Sequence, residues 1–211
     1  MQITRSTLHF MVQNTNAPSR RGRPPKFDAD AVVAAAIGAF MAKGFDATTL
    51  NDIETATGVD RSTLYNSFGG KAGLYKLATD TYLTSARLGL FATLHDGTRG
   101  LDDVTDFLST LRQGLTSQDE VLGCLIVNDM SSGSDTEAAD CYQDLLESGI
   151  LAALERASSR GEADADRSQS RAALILTTVL GINLVASNPG TKGQVGRLVE
   201  AAIAEVETWR T

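Results

Sequence analysis

Thr48-Thr49-Leu50-Asn51-Asp52-Ile53-Glu54-Thr55-Ala56-Thr57-Gly58-Val59-Asp60-Arg61-Ser62-Thr63-Leu64-Tyr65-Asn66-Ser67-Phe68-Gly69-Gly70-Lys71 is the stretch on which the fold turns. Thr48 or Thr49 is placed to cap a short helix whose first turn holds Asp52, an acid at the positive end of the helix dipole. Leu50, Ile53 and Ala56 or Thr57 form its inner face, and Gly58 ends it. Val59-Asp60-Arg61 is a tight turn. Asp60 or Ser62 then caps a second short helix, Ser62 to Phe68, with Leu64 and Phe68 four apart and pointing inward. Gly69-Gly70 stops it. Two such helices joined by a glycine-containing turn make a helix-turn-helix. The second presents Arg61, Ser62, Thr63, Tyr65, Asn66 and Ser67 outward, with no acid after Asp60.

On the N-terminal side, a helix capped by Asp28 or Asp30 runs to Lys43, with Val33, Ala36, Ile37, Phe40 and Met41 on one face and Gly44 at its end. On the C-terminal side, a long helix runs from Lys71 to Phe91 with Leu74, Leu77, Ala78 and Tyr82 inward. Further helices are expected near 100–117, 122–131, 135–160, 167–187 and 191–210. Tyr142, Leu145, Leu146, Gly149, Ile150, Ala153 and Leu154 follow the helical period, as do Val195, Leu198, Val199, Ala202, Ile203, Val206 and Trp209. Ala172 to Ala186 is apolar almost all round. It is therefore expected to be buried on more than one side, either by its own domain and a twin subunit or as the central helix of a monomer. The prolines agree with a helical chain: there are four, Pro18, Pro24, Pro25 and Pro189, so 26–188 contains none.

The 211 residues are 42% hydrophobic and carry a formal charge of −7, which taken whole argues against a nucleic-acid partner. The distribution of that charge points the other way. Residues 1–26 hold Arg5, Arg20, Arg21, Arg23 and Lys26 and no acid, a balance of +5; residues 1–80 hold nine basic and seven acidic groups, +2; the remainder holds ten basic and nineteen acidic, −9. A basic tip thus precedes an acidic body, the asymmetry expected of a small DNA-reading module on a larger domain, though also of a polar leader on an ordinary acidic protein. Residues 1–26 are read as a disordered basic arm, with Met11 an alternative start.

Other classes are disfavoured. The run Ala172–Ala186 is too short to span a bilayer and is interrupted by Thr177, Thr178 and Asn183. The N-terminus lacks the pattern of a secretion signal, and two cysteines, Cys124 and Cys141, build no disulfide framework, which suits the cytoplasm. With two histidines, His9 and His95, and no Cys/His pair at ligand spacing, a metal site is not expected. The chain shows no nucleophile–base arrangement, phosphate loop or carboxylate cluster with metal spacing, and the series Gly190, Gly193, Gly196 lacks the spacing of a dinucleotide site. No enzyme activity, catalytic residue or cofactor is expected.

The segments Thr48–Ile53, Ala56-Thr57-Gly58-Val59 and Thr63-Leu64-Tyr65-Asn66-Ser67-Phe68-Gly69-Gly70-Lys71 resemble the DNA-binding segment of TetR/AcrR-type transcriptional regulators. The resemblance covers 27–75, and the Leu-Tyr-x-x-Phe-x-x-Lys piece is its most specific part. The rest matches in layout, with Gly123-Cys124-Leu125-Ile126-Val127-Asn128 resembling a block that opens a middle helix in one branch. Three residues depart from the usual pattern: Ser62 where glycine or alanine is common, Glu54 where alanine is common, and Gly73 in place of an acid. The resemblance implies an all-α fold: a three-helix helix-turn-helix DNA-binding domain over 27–75, then a helical ligand-binding and dimerisation domain over 76–211.

If the second helix of the motif enters a major groove, Arg61 is suited to a bidentate contact with guanine, Asn66 to adenine and Thr63 to a thymine methyl, with Ser62 on the same base-facing surface. Tyr65 and Ser67 suit phosphates, with a partly buried Tyr65 as the alternative. Thr48 and Thr49 offer hydroxyl and backbone N–H groups to phosphate, and Lys71 adds a charge at a helix N-terminus. Arg20-Arg21-Gly22-Arg23-Pro24 contains an Arg-Gly-Arg-Pro core suited to placing Arg21 and Arg23 in a narrow minor groove, or is an electrostatic tail. The resemblance further implies a homodimer through the last two helices, a near-palindromic double-stranded operator and a small-molecule effector, with repression the usual mode. Phe107, Leu111, Cys124, Asn128 and Tyr142 are the candidate effector contacts on the middle helices. Cys124 is either a reactive sensor near a helix N-terminus or a buried apolar residue. The competing function is an architectural DNA binder that works through the basic arm.

Overall fold

The computed structural model describes residues 27–116, 123–130 and 136–211. Helices and short connections account for them, and no strand occurs among the described residues, so the all-α expectation is met. They divide into two compact units, one ending at Ser85 and the other running from Ala86 to Thr211.

In the first unit α1 (Ala29–Ala47) begins at Asp28, whose carboxylate accepts from the N–H groups of Asp30 and Ala31. At Gly44 the backbone leaves helical geometry (φ 75°, ψ 170°), so the first helical stretch ends at Lys43 as expected, and one short further turn follows across the kink. That turn brings Phe45 back onto Phe40 and Tyr75, with ring centroids 6.3 and 4.7 Å apart. α2 (Leu50–Thr57) ends at Gly58 and α3 (Arg61–Phe68) at Gly69, both left-handed, as the glycine stops predict. α3 starts at Arg61, with Asp60 as its cap. Val33, Ala36, Ile37, Phe40, Ile53, Leu64 and Leu74 make the small core.

α4 (Gly70–Leu88) is shorter than the expected 71–91 helix. Its inward face is Leu74, Tyr75, Ala78 and Thr79, whereas Leu77, expected inside, is 41% exposed. Because that face continues past Tyr75 through Thr79, the boundary between the units lies at Ser85/Ala86, further along the helix than the 75/76 boundary expected from sequence. The difference reflects a helix that serves one core over several turns.

In the second unit α5 (Ala92–Asp96) has too few residues to show a period, which is why the sequence pattern misses it. α6 (Leu101–Thr116) lies along α10 (Lys192–Glu207), and α8 (Thr136–Ser159) lies along α9 (Ser168–Ala186), with α7 (Leu125–Met130) against both α8 and α9. Phe91 sits at the centre of a ring cluster, 5.8 Å from Phe107 and 5.6 Å from Tyr142. Asp103 is 1% exposed, and a carboxylate so buried needs compensation. It accepts from the N–H groups of Arg99 and Gly100 (2.8 and 3.1 Å) and from Arg156 Nη2 (3.1 Å), which also donates to the Leu94 carbonyl (2.7 Å).

α9 buries Ala172, Ile175, Val179, Ile182 and Ala186, and leaves Leu174 and Leu184 45% and 52% exposed. Together with the preceding turn, the longer helical run Ala165–Ala186 has the length and composition of a membrane span, a property it shares with buried core helices. Its inner side is nonetheless packed against α8 and α10. On α10, Val195, Val199, Ala202 and Val206 are buried, and Leu198 is 37% exposed.

Candidate nucleic-acid interface

α3 exposes one polar face over a single apolar anchor. Leu64 is fully buried, while Arg61, Ser62, Tyr65, Asn66 and Ser67 are exposed, Tyr65 by 56%. That exposure removes the alternative of a partly buried Tyr65. Asn66 Nδ2 donates to Ser62 Oγ at 3.4 Å across one turn. At the N-terminus of α3 the Asp60 carboxylate accepts from Thr63 N–H (2.9 Å) and Thr63 Oγ1 (3.0 Å), which holds its pKa below the ordinary carboxylate value. The Thr63 hydroxyl therefore belongs to the cap.

Thr48 requires correction. It is 1% exposed and its hydroxyl donates to the Gly44 carbonyl at 2.6 Å, closing the α1–α2 connection, so it is not available to phosphate. Thr49 is the cap of α2 instead. Its N–H and hydroxyl both donate to Asp52 Oδ2 (2.9 and 2.8 Å) and its Oγ1 accepts from Asp52 N–H (3.2 Å), a complete capping box. Lys43 Nζ donates to the other oxygen of Asp52 at 2.7 Å. These donors, with Lys43 first among them, hold the Asp52 carboxyl well below the usual range.

Arg61 is likewise engaged. Its backbone N–H donates to Glu54 Oε1 at 2.7 Å and its Nη2 to Glu54 Oε2 at 3.3 Å. Lys71 Nζ donates to the Asp46 carbonyl at 3.2 Å and lies 4.4 Å above the Phe45 ring, so this cation steadies the α1–α2 connection as well as marking the start of α4. Residues 27–85 carry four bases and seven acids, a balance of −3, so the head is acidic once the +5 of residues 1–26 is set apart. Arg21 and Arg23 lie outside the described residues.

The effector residues expected from sequence fall in the second unit. Phe107 (0% exposed) on α6 and Tyr142 (2%) on α8 meet around Phe91, and Leu111 (4%) follows on the same face of α6. Cys124 (3%) and the half-buried Asn128 lie at α7. None of the five lines the open groove of about 710 Å³ on the polar side of α6, whose walls include Thr93, Asp106, Ser109, Thr110 and Gln113. Among the described residues no group of three or more His, Cys, Asp or Glu side chains is placed to hold a metal ion. Sequence does not single out Glu54 as the partner of Arg61, or Asp52 as the partner of Lys43. Glu54 stands out only as an acid where alanine is common, and Asp52 as a first-turn acid, signals that name no partner.

A helix-turn-helix with this exposed face is the architecture of a DNA-binding regulator. The sequence model described as bacterial regulatory proteins, tetR family, matches residues 32–78. The chain is 31% identical over 118 residues to the HTH-type transcriptional repressor ComR of Escherichia coli K12, covering 53% of this chain and 54% of ComR. It therefore spans little more than half the length of that curated relative, which is named as a transcriptional regulator rather than an enzyme. Among solved structures, a TetR transcriptional regulator from Chloroflexus aurantiacus is 25% identical with a TM-score of 0.70, covering 84% of this chain and 91% of that one. A cysteine-substituted CifR, a TetR-family regulator solved with 26-bp double-strand operator DNA, shares the fold: 22% identity, TM-score 0.69, 86% of this chain and 98% of that one. The likeness to the tetR family of bacterial regulatory proteins rests on the matched residues 32–78, and the fold of the described residues agrees with it.

Proposed function

We propose that the chain is a one-component repressor that binds a near-palindromic operator as a homodimer and leaves it when a small molecule binds the helical unit. The observation that carries this is the face of α3, where Ser62, Tyr65, Asn66 and Ser67 stand exposed over the fully buried Leu64, and no acid follows Asp60. Arg61, Asn66 and Thr63 would meet base edges, while Tyr65, Ser67, Thr49 and Lys71 would meet phosphates, with Arg21 and Arg23 in a flanking minor groove. Thr63 has its methyl group for this, since its hydroxyl caps α3. Leu174, Leu184 and Leu198, exposed on α9 and α10, support a dimer through these two helices. Half-sites about 34–36 Å apart would suit such a dimer, and effector binding would favour dimer geometries that no longer meet that spacing. Phe107, Leu111, Cys124, Asn128 and Tyr142 are the proposed effector-side residues, with the burial of Cys124 favouring a packing role. The protein would act in the cytoplasm, at the chromosome, without a cofactor.

Genome-wide binding followed by a ligand panel scored on the top site tests this. Sequence-specific sites released by one ligand class are expected. Binding no better than about tenfold over random DNA would overturn the repressor in favour of an architectural binder.

A further inference from the structure

Arg61 is the first residue of α3, and both of its interactions end on one side chain of the preceding helix. Glu54 Oε1 accepts the Arg61 backbone N–H at 2.7 Å, satisfying a donor that a helix N-terminus otherwise leaves open. Glu54 Oε2 accepts Arg61 Nη2 at 3.3 Å. Arg61 is 56% exposed and Glu54 29%, so the carboxylate lies behind the guanidinium that covers it. An ion pair this exposed adds little to stability. Its consequence is directional. An arginine reads guanine through two parallel N–H groups in a rigid fork, so the edge of the guanidinium that faces outward decides what can be read. Tying one nitrogen to Glu54 selects that edge and restricts rotamers that a long side chain must otherwise lose on binding. Thr63 cannot substitute for this direction, because its own hydroxyl is held by Asp60.

We propose that Glu54 is a specificity-determining positioning residue: by holding the guanidinium of Arg61 it sets the base preference at one position of each half-site. This rests on the operator-binding function proposed above. In vitro selection from a randomised DNA duplex pool, run on the full chain and on Glu54→Gln, Glu54→Ala and Arg61→Ala, is the test. Arg61→Ala is expected to erase the preference at one position per half-site. Both Glu54 variants are expected to weaken it at that same position by about tenfold, with the other positions unchanged. In the double variant Glu54→Ala/Arg61→Ala no loss beyond that of Arg61→Ala is expected. Glu54→Gln keeps an acceptor for the Arg61 N–H, so it carries the test if Glu54→Ala melts below the assay temperature. An enriched wild-type motif that both Glu54 variants reproduce, or that weakens equally at every position, overturns the role of Glu54 alone. A wild-type pool with no enriched motif overturns the repressor function as well.

Discussion

Gly73 explains itself only through its neighbour. A Cβ placed there would sit 1.9 Å from the Phe68 carbonyl oxygen, so the absence of a side chain is what lets α4 begin directly behind the last turn of α3. An acid at this position, the residue the family resemblance leads one to expect, would require the α3–α4 junction to open. Gly73→Ala is expected to lower stability by roughly 1–3 kcal/mol, the usual range for overpacking a tight contact. Thermal or urea unfolding would measure it, and an unchanged midpoint would mean that the junction is looser than described. Thr48 illustrates the opposite limit of a sequence pattern. Adjacent threonines before a helix look alike as caps, yet one closes the preceding turn while the other caps α2, and only the path of the chain at Gly44 distinguishes them.

His95 shows how an element is held and how that hold depends on pH. Its Nε2 donates to the Leu145 carbonyl at 2.9 Å, and a Cβ at Gly149 would come within 2.8 Å of the same nitrogen, so α5 rests on α8 at a point where glycine is required. Burial, with help from Arg87 and Arg156, pushes the imidazole pKa below its ordinary 6.5 despite the Leu145 carbonyl and Asp96. The folded state therefore takes up a proton less readily than the unfolded chain. The stability contribution is present above pH 6.5 and declines as the pH falls through that value toward the depressed one. His95→Gln, which keeps a donor for Leu145, is expected to flatten the fall in melting temperature between about pH 7 and 5. Parallel curves for the two proteins would show that another group titrates there. The same sign governs Asp52, Asp60 and Asp96, whose pKa values are lowered by hydrogen-bond donors, but their contributions decline only below a carboxyl's ordinary 3.8.

For the whole molecule, the apolar run Ala172–Ala186 carries the prediction. The packed side of α9 leaves Leu174 and Leu184 in solvent, and Leu198 on α10 adds to the exposed apolar area. Leu184→Glu is expected to shift the protein from dimer to monomer in sedimentation experiments and to weaken operator binding, with little effect on monomer folding because Leu184 is 52% exposed. A monomeric wild type, or an unshifted variant, would count against this interface. The charge distribution acts at the same scale. A formal −7 combines +5 in residues 1–26, −3 in residues 27–85 and an acidic remainder, so under the proposed function phosphate attraction would concentrate in the basic segment and sequence discrimination in α3.

Helix-turn-helix order and the glycine stops at Gly58 and Gly69 could be inferred from sequence because their causes lie within a few residues of each other. Sequence narrows the caps to Asp28 or Asp30 and to Asp60 or Ser62, and the structure selects Asp28 and Asp60. The all-α class follows from the same short-range periods and the long proline-free span. The Arg61–Glu54, Lys71–Asp46 and Arg156–Asp103 pairings, the burial of Thr48 and the exposure of Leu77 could not be inferred in that way. Partners 7, 25 and 53 residues apart meet only after helices have packed. Residue type and spacing determine which helices form and which face is apolar. Which cation is bound, which hydroxyl is spent and which leucine stays in water are decided by packing, because those energies depend on contacts that local sequence does not contain.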